Sequence, residues 1–158
     1  REFSEMAEYC GAKLITIHGR VREAYYSGEP DYDAIARAKK AVSIPVIANG
    51  GIFTKEDADL MTERTGADGV MIARGAIADP FIFSKISGEN PPIKTLKEFA
   101  LAHFDEEIAR IGEQRAAVEF RKFVTYYFKG AKNSKQNRVA IMTTEDVDEI
   151  KRLLSETL

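Results

Sequence analysis

Three short apolar runs punctuate the first half of the chain: Lys13-Leu14-Ile15-Thr16-Ile17, Ile44-Pro45-Val46-Ile47-Ala48 and Gly69-Val70-Met71-Ile72-Ala73. Each is continuous rather than alternating, the pattern of strands buried on both faces of a parallel sheet. Segments of helical period separate them. Residues 2–10 have helical composition, with Gly11 as the stop. Asp31 or Asp33 caps a helix reaching Val42, with Ile35, Ala38 and Val42 on one face. Thr54, with Asp57 three residues on, opens a third helix that Gly66 closes. The order α-β-α-β-α-β, with strands 25–30 residues apart, fits βα units of a barrel or a doubly wound sheet.

Beyond Ser87-Gly88-Glu89-Asn90-Pro91-Pro92 the period changes. Thr95 caps a helix carrying Phe99, Ala102, Phe104 and Ile108 as far as Gly112. A helix over 113–128 places Ala117, Phe120, Val124 and Tyr127 together, and Gly130 to Asn137 reads as a basic loop. Thr144 begins a last helix that buries Val147, Ile150, Leu153 and Leu154. The predicted organisation is two domains, 1–90 and 91–158, the second all-α.

Composition narrows the class. Of the 158 residues, 44% are hydrophobic and 30% charged, and no apolar run approaches a bilayer span. The single cysteine excludes a disulfide framework and a thiolate metal site, and the expected compartment is the cytoplasm. Cys10, at a helix end with no base nearby in sequence, reads as a buried structural thiol. The net charge of −2 conceals a segregation: residues 115–138 hold seven basic residues and one acid, Glu119. That stretch is a candidate phosphate-binding surface or a solvated helix face.

Each strand ends in a polar or glycine-bearing cluster: His18-Gly19-Arg20, Asn49-Gly50-Gly51 and Ala73-Arg74-Gly75. Active-site groups of parallel barrels lie at such ends, and the last two strands commonly build a phosphate site from loop amides. Two glycine-bearing ends about 25 residues apart therefore point to a phosphate-bearing ligand. Arg74 would add a charged fork. A lone strand-end histidine is more often structural, but His18 beside Gly19 and Arg20 lies where a ligand would.

The motifs also carry a resemblance. Ile17-His18-Gly19-Arg20-Val21-Arg22, Tyr26-Ser27-Gly28 and Asp31-Tyr32 resemble a stretch of bacterial and archaeal tRNA-dihydrouridine synthases. So do Ile44 to Ile52, Gly69 to Ala76 and Asp79-Pro80-Phe81-Ile82-Phe83, in the same order. Arg121-Lys122, Tyr127, Gly130 and Arg138 follow the family's pattern in its helical domain. The resemblance implies the last three βα units of a TIM (β/α)8 barrel over 1–90 and a tRNA-binding helical domain over 91–158. It implies an oxidoreductase parent that reduces uridine to 5,6-dihydrouridine in tRNA, with FMN as hydride carrier and NADPH as reductant. By resemblance His18 contacts the flavin, and Asn49, Gly50, Gly51, Ala73 and Arg74 hold its phosphate. Arg121, Lys122 and Arg138, with Lys129 of the basic stretch, are the candidates to face the RNA, and Arg20 either meets the tRNA at the barrel mouth or pairs with neighbouring acids. Arg22 is a second candidate with the same two readings, and Tyr126 or Tyr127 either stacks a base or packs in the helical core with Phe120, Phe123 and Phe128.

Two departures stand out: Gly51 replaces the family's usual Asp, and Ala73 its usual Gly. The family's catalytic cysteine, in an Asn-x-x-Cys-Pro motif, and its flavin-contacting lysine have no counterpart here. The expectation is a fragment, inactive alone, that pairs with the missing half of the barrel or with itself through open strand edges. Other readings are a different FMN barrel oxidoreductase acting on a small pyrimidine-like substrate, and a non-catalytic RNA-binding module built on 95–158.

Overall fold

The computed structural model describes residues 2–21, 23, 27–91, 93, 95–132 and 134–158. Arg22, Tyr26 and Pro92, singled out above, lie outside the described residues. The chain divides into two compact units, Arg1–Glu89 and Asn90–Leu158.

The first unit runs α1 (Glu2–Tyr9), β1 (Ile15–His18), α2 (Tyr32–Ala41), β2 (Val46–Asn49), α3 (Lys55–Thr65), β3 (Gly69–Met71), α4 (Arg74–Ala78) and α5 (Ile82–Ser87). Its strands form one parallel sheet in the order β1-β2-β3. Asp31, rather than Asp33, caps α2 by accepting the Ala34 N–H at 2.8 Å. Thr54 and Asp57 form a reciprocal capping box on α3, and Gly66 closes that helix in the left-handed conformation. Ile35 and Ala38 of α2 and Ala58 and Met61 of α3 then pack on Val46 and Ala48 of the central strand. Burying side chains the size of Ile35 or Met61 contributes about 1.5–3 kcal/mol each.

The N-terminal end of the sheet is held by carboxylates. Asp68 accepts the Lys39 ammonium and the Val46 N–H, both at 2.7 Å, which holds its carboxyl below the usual range. Glu8 accepts the backbone N–H groups of Ser43 and Ile44 and the Ser43 hydroxyl.

Burial corrects one expectation. Among the described residues only one sheet face is covered. Ile15, Ile17, Val46, Ala48 and Val70 join the helix-backed core. The opposite face carries Thr16, Ile47 and Gly69, and then His18, Asn49 and Met71, paired across the sheet row by row. Thr16, His18 and Met71 are exposed there, because no second layer of the described chain packs on them. Cys10 is also exposed, on the turn that follows α1, so the buried-thiol expectation is wrong.

The second unit is all-helical: α6 (Leu96–Ile111), α7 (Glu113–Glu119), α8 (Arg121–Tyr127), α9 (Ser134–Thr143) and α10 (Val147–Thr157). Thr95 and Glu98 box the start of α6. The expected single helix over 113–128 is two helices divided at Phe120, whose ring is fully buried. The expected loop from Gly130 to Asn137 becomes helical at Ser134. Asp146, not Thr144, caps α10, accepting the N–H groups of Asp148 and Glu149. The core gathers Phe104, Phe120, Val124, Tyr127, Ile141, Ile150, Leu153 and Leu154. Among the described residues, no helix is long and apolar enough to cross a membrane.

Candidate functional site

All three strands end on the uncovered face, and there the last register row forms a hydrogen-bonded line. The Asn49 amide Nδ2 donates to the Met71 carbonyl at 2.7 Å, which fixes the orientation of the amide. Its Oδ1 therefore accepts from His18, whose Nδ1 lies 2.7 Å away. With Nδ1 carrying that proton, Nε2 is left as the second polar atom of the ring, an acceptor when neutral and a donor when charged. The backbone repeats the link, since the Gly19 N–H donates to the Asn49 carbonyl at 2.9 Å.

Beyond Asn49 the chain turns through Gly50 (φ 131°) and Gly51 (φ 70°). Both angles fall where a Cβ is strained, so the dipeptide leaves its backbone bare. This turn, the row and the end of β3 enclose a cleft of about 250 Å³. The residues predicted to hold a ligand, His18, Asn49, Gly50, Gly51, Ala73 and Arg74, all line it. The Arg74 guanidinium lies 5.6 Å from the centre of the Phe53 ring, a cation–π distance that orients it at the cleft wall.

Ile52, Phe53, Met71 and Gly75 also line the cleft and were not among the predicted residues. The run Gly50 to Phe53 and the cluster Ala73 to Gly75 are contiguous in sequence, and only their turn geometry assigns the extra members to the wall. Cys10 is not among the lining residues.

The residues expected to face RNA divide by environment. Lys122 and Lys129 are exposed. Lys122 stands 3.9 Å from Glu119 and over the Phe123 ring at 5.0 Å. Arg121 is half-buried, donates Nη2 to the Thr144 carbonyl at 3.1 Å, and keeps Nε buried without a hydrogen-bond partner. Arg138 is half-buried on α9, which packs on α8. Tyr127 belongs to the core, while Tyr126 is 40% exposed. Arg20, in the first unit, is half-buried with its Nη2 on the Gly28 carbonyl at 2.7 Å.

Beside Tyr127 the helical unit holds a half-buried histidine. His103 stands among Phe120 at 5.2 Å and Phe123 at 4.6 Å, with the Tyr127 hydroxyl 2.7 Å from its Nδ1. Burial pushes the His103 imidazolium down and the Tyr127 phenol up to about 12, so Tyr127 O–H donates to a neutral ring.

Comparison with known proteins agrees with the motifs. The family model described as dihydrouridine synthase matches residues 1–158. A probable tRNA-dihydrouridine synthase of Rickettsia bellii is 34% identical over 161 residues, covering 97% of this chain and 49% of that protein. The tRNA-dihydrouridine synthase B of Proteus vulgaris is 36% identical over 156 residues, covering 94% and 48%. That of Vibrio vulnificus is 40% identical over 134 residues, covering 80% and 42%. The chain thus spans about half the length of the curated relatives it matches.

Proposed function

Because the chain belongs to the dihydrouridine synthase family, we propose that it forms the flavin-phosphate side and the RNA-facing helical unit of a tRNA-dihydrouridine synthase. The parent activity is reduction of uridine to 5,6-dihydrouridine in tRNA, with FMN as the bound carrier and NADPH as the reductant. One observation carries this reading: the row His18–Asn49–Met71 and the bare Gly50-Gly51 turn meet Arg74 around a single strand-end cleft.

That cleft suits a phosphate-bearing flavin. Gly50 and Gly51 offer backbone without side chains, and Arg74 offers a cation. Asn49 holds the His18 ring through Nδ1, so that Nε2 is the atom presented to a ligand. The flavin supplies hydride transfer when bound. This chain supplies orientation and charge, and its one cysteine, which lies off the cleft, is not the catalytic acid.

In this reading the three strands are the last of a (β/α)8 barrel, and the uncovered face is its interior. Upstream strands or a second copy would complete it along the open edges of β1 and β3. The chain alone is then inactive, and a tRNA substrate goes with a cytoplasmic location. The exposed Lys122 and Lys129, with Arg138 and Arg121 nearby in the fold, supply cations for RNA phosphates, and Tyr126 a ring for base stacking.

The flavin assignment is tested by titrating FMN into the chain and its Arg74→Ala variant, followed by flavin fluorescence. The expected outcome is a dissociation constant raised about tenfold or more in the variant, the loss of one charge-assisted contact. Unchanged affinity removes Arg74 from the site.

A further inference from the structure

We infer that Arg20 is a positioning residue of this cleft: its half-buried guanidinium, without a counter-charge among the described residues, lies against the Gly50-Gly51 turn and poises that turn for an anionic group. The inference rests on the phosphate reading above and assigns a part of it to a side chain outside the cleft lining.

The guanidinium spends only one of its donors. Nη2 bonds the Gly28 carbonyl, whereas Nε and Nη1 are shut from solvent with no hydrogen-bond partner. Among the described residues no carboxylate pairs with it. Its place is defined by the glycines. Nη1 lies 3.4 Å from the point a Gly50 Cβ would occupy, beside His18 Cε1 at 3.5 Å, and Nη2 lies 3.5 Å from the corresponding point on Gly51. Pro30 covers the same turn, its Cγ 3.2 Å from that Gly51 point. The side-chain positions of Gly50 and Gly51 thus face Arg20 and Pro30, which leave little room for a Cβ, while the two glycines themselves line the cleft.

An unpaired cation with closed-off donors is costly in a folded protein unless a counter-charge arrives nearby. Here the neighbouring space is the cleft, walled by a second arginine, Arg74. An anion seated there offsets the cost at Arg20 without touching it, through the field across the glycine turn. Two of the three guanidinium nitrogens face no solvent, so this side chain is poorly disposed to meet RNA phosphates at the surface.

A mere strut and a poised charge give opposite results when the charge is removed. Thermal unfolding of the 158-residue chain is measured for the wild type, Arg20→Met and Arg20→Lys, each with and without inorganic phosphate. Phosphate is expected to raise the wild-type Tm. Without phosphate, Arg20→Met should melt within about 2 °C of the wild type or above it, because an unpaired buried charge is gone. Its phosphate dissociation constant should rise about tenfold, while Arg20→Lys keeps most of the phosphate response.

An Arg20→Met variant that fails to fold, or melts well below the wild type without phosphate, makes Arg20 a strut and overturns the inference. An equal phosphate response in wild type and Arg20→Met overturns it too, and leaves the phosphate reading standing. A folded Arg20→Lys variant as unresponsive as Arg20→Met contradicts the role of charge. No response in the wild type removes the phosphate reading, and the role of Arg20 with it.

Discussion

At Gly75 a side chain as small as a methyl would run into the carbonyl oxygen of Ile52. That backbone contact joins the turn after β2 to the start of α4 and so closes one wall of the cleft. Neighbouring backbone, unlike a flexible side chain, has little room to yield. Gly75→Ala is therefore expected to cost about 3 kcal/mol, read as a lowered denaturant midpoint at constant slope. A loss below about 0.5 kcal/mol would show that the wall relaxes freely. At this scale the sequence is informative where chemistry and backbone coincide. His18, Asn49, Gly50, Gly51, Ala73 and Arg74 are recognisable as strand-end residues, and the fold brings all six to one cleft. Arg20 and Arg121 read from sequence as surface cations, yet each keeps a buried guanidinium nitrogen without a partner. Residue type alone does not reveal which arginine folds inward.

Among elements, capping chemistry is legible where it is local, with Thr54 and Asp57 marking one helix start and Thr95 another, but Thr144 stands in the sequence reading where Asp146 caps α10. The breaks are not legible, because they depend on packing. Phe120 divides α7 from α8 where its ring enters the core against Phe104, at 4.8 Å. The polar composition of Ser134 to Asn137 hid α9, which is held by burial of Ile141 further along. His103 of α6 and Tyr127 of α8 join these elements, and the joint titrates. Burial favours the neutral imidazole, so the folded pKa lies below the ordinary value of about 6.5. The unfolded chain then binds the proton more readily. Stability is full above about pH 6.5 and declines as pH falls from there through the folded value. Urea unfolding followed at pH 7.5 and about 5.5 should show that decline, and His103→Gln should flatten it. Identical slopes in both proteins would place the acid sensitivity elsewhere.

For the molecule as a whole, the charge pattern separates two tasks. The acidic first half carries the cleft, while the basic residues of 115–138 lie on the helical unit. If Lys122 and Lys129 meet tRNA phosphates, log affinity should fall linearly with log salt, and the Lys122→Glu/Lys129→Glu variant should flatten the slope by about two. An unchanged slope would move the RNA surface off α8. The parallel three-stranded sheet follows from the continuous apolar runs, but its uncovered face does not, since hydropathy specifies that a strand can be buried and not whether a second layer is present. That open face is also where the central claim is most exposed. Calorimetric titration of FMN and of riboflavin into the chain measures what the phosphate adds. The account predicts that FMN binds at least about tenfold tighter than riboflavin, the contribution of a charge-assisted site. Equal affinity for the two flavins, or binding of neither, would contradict it.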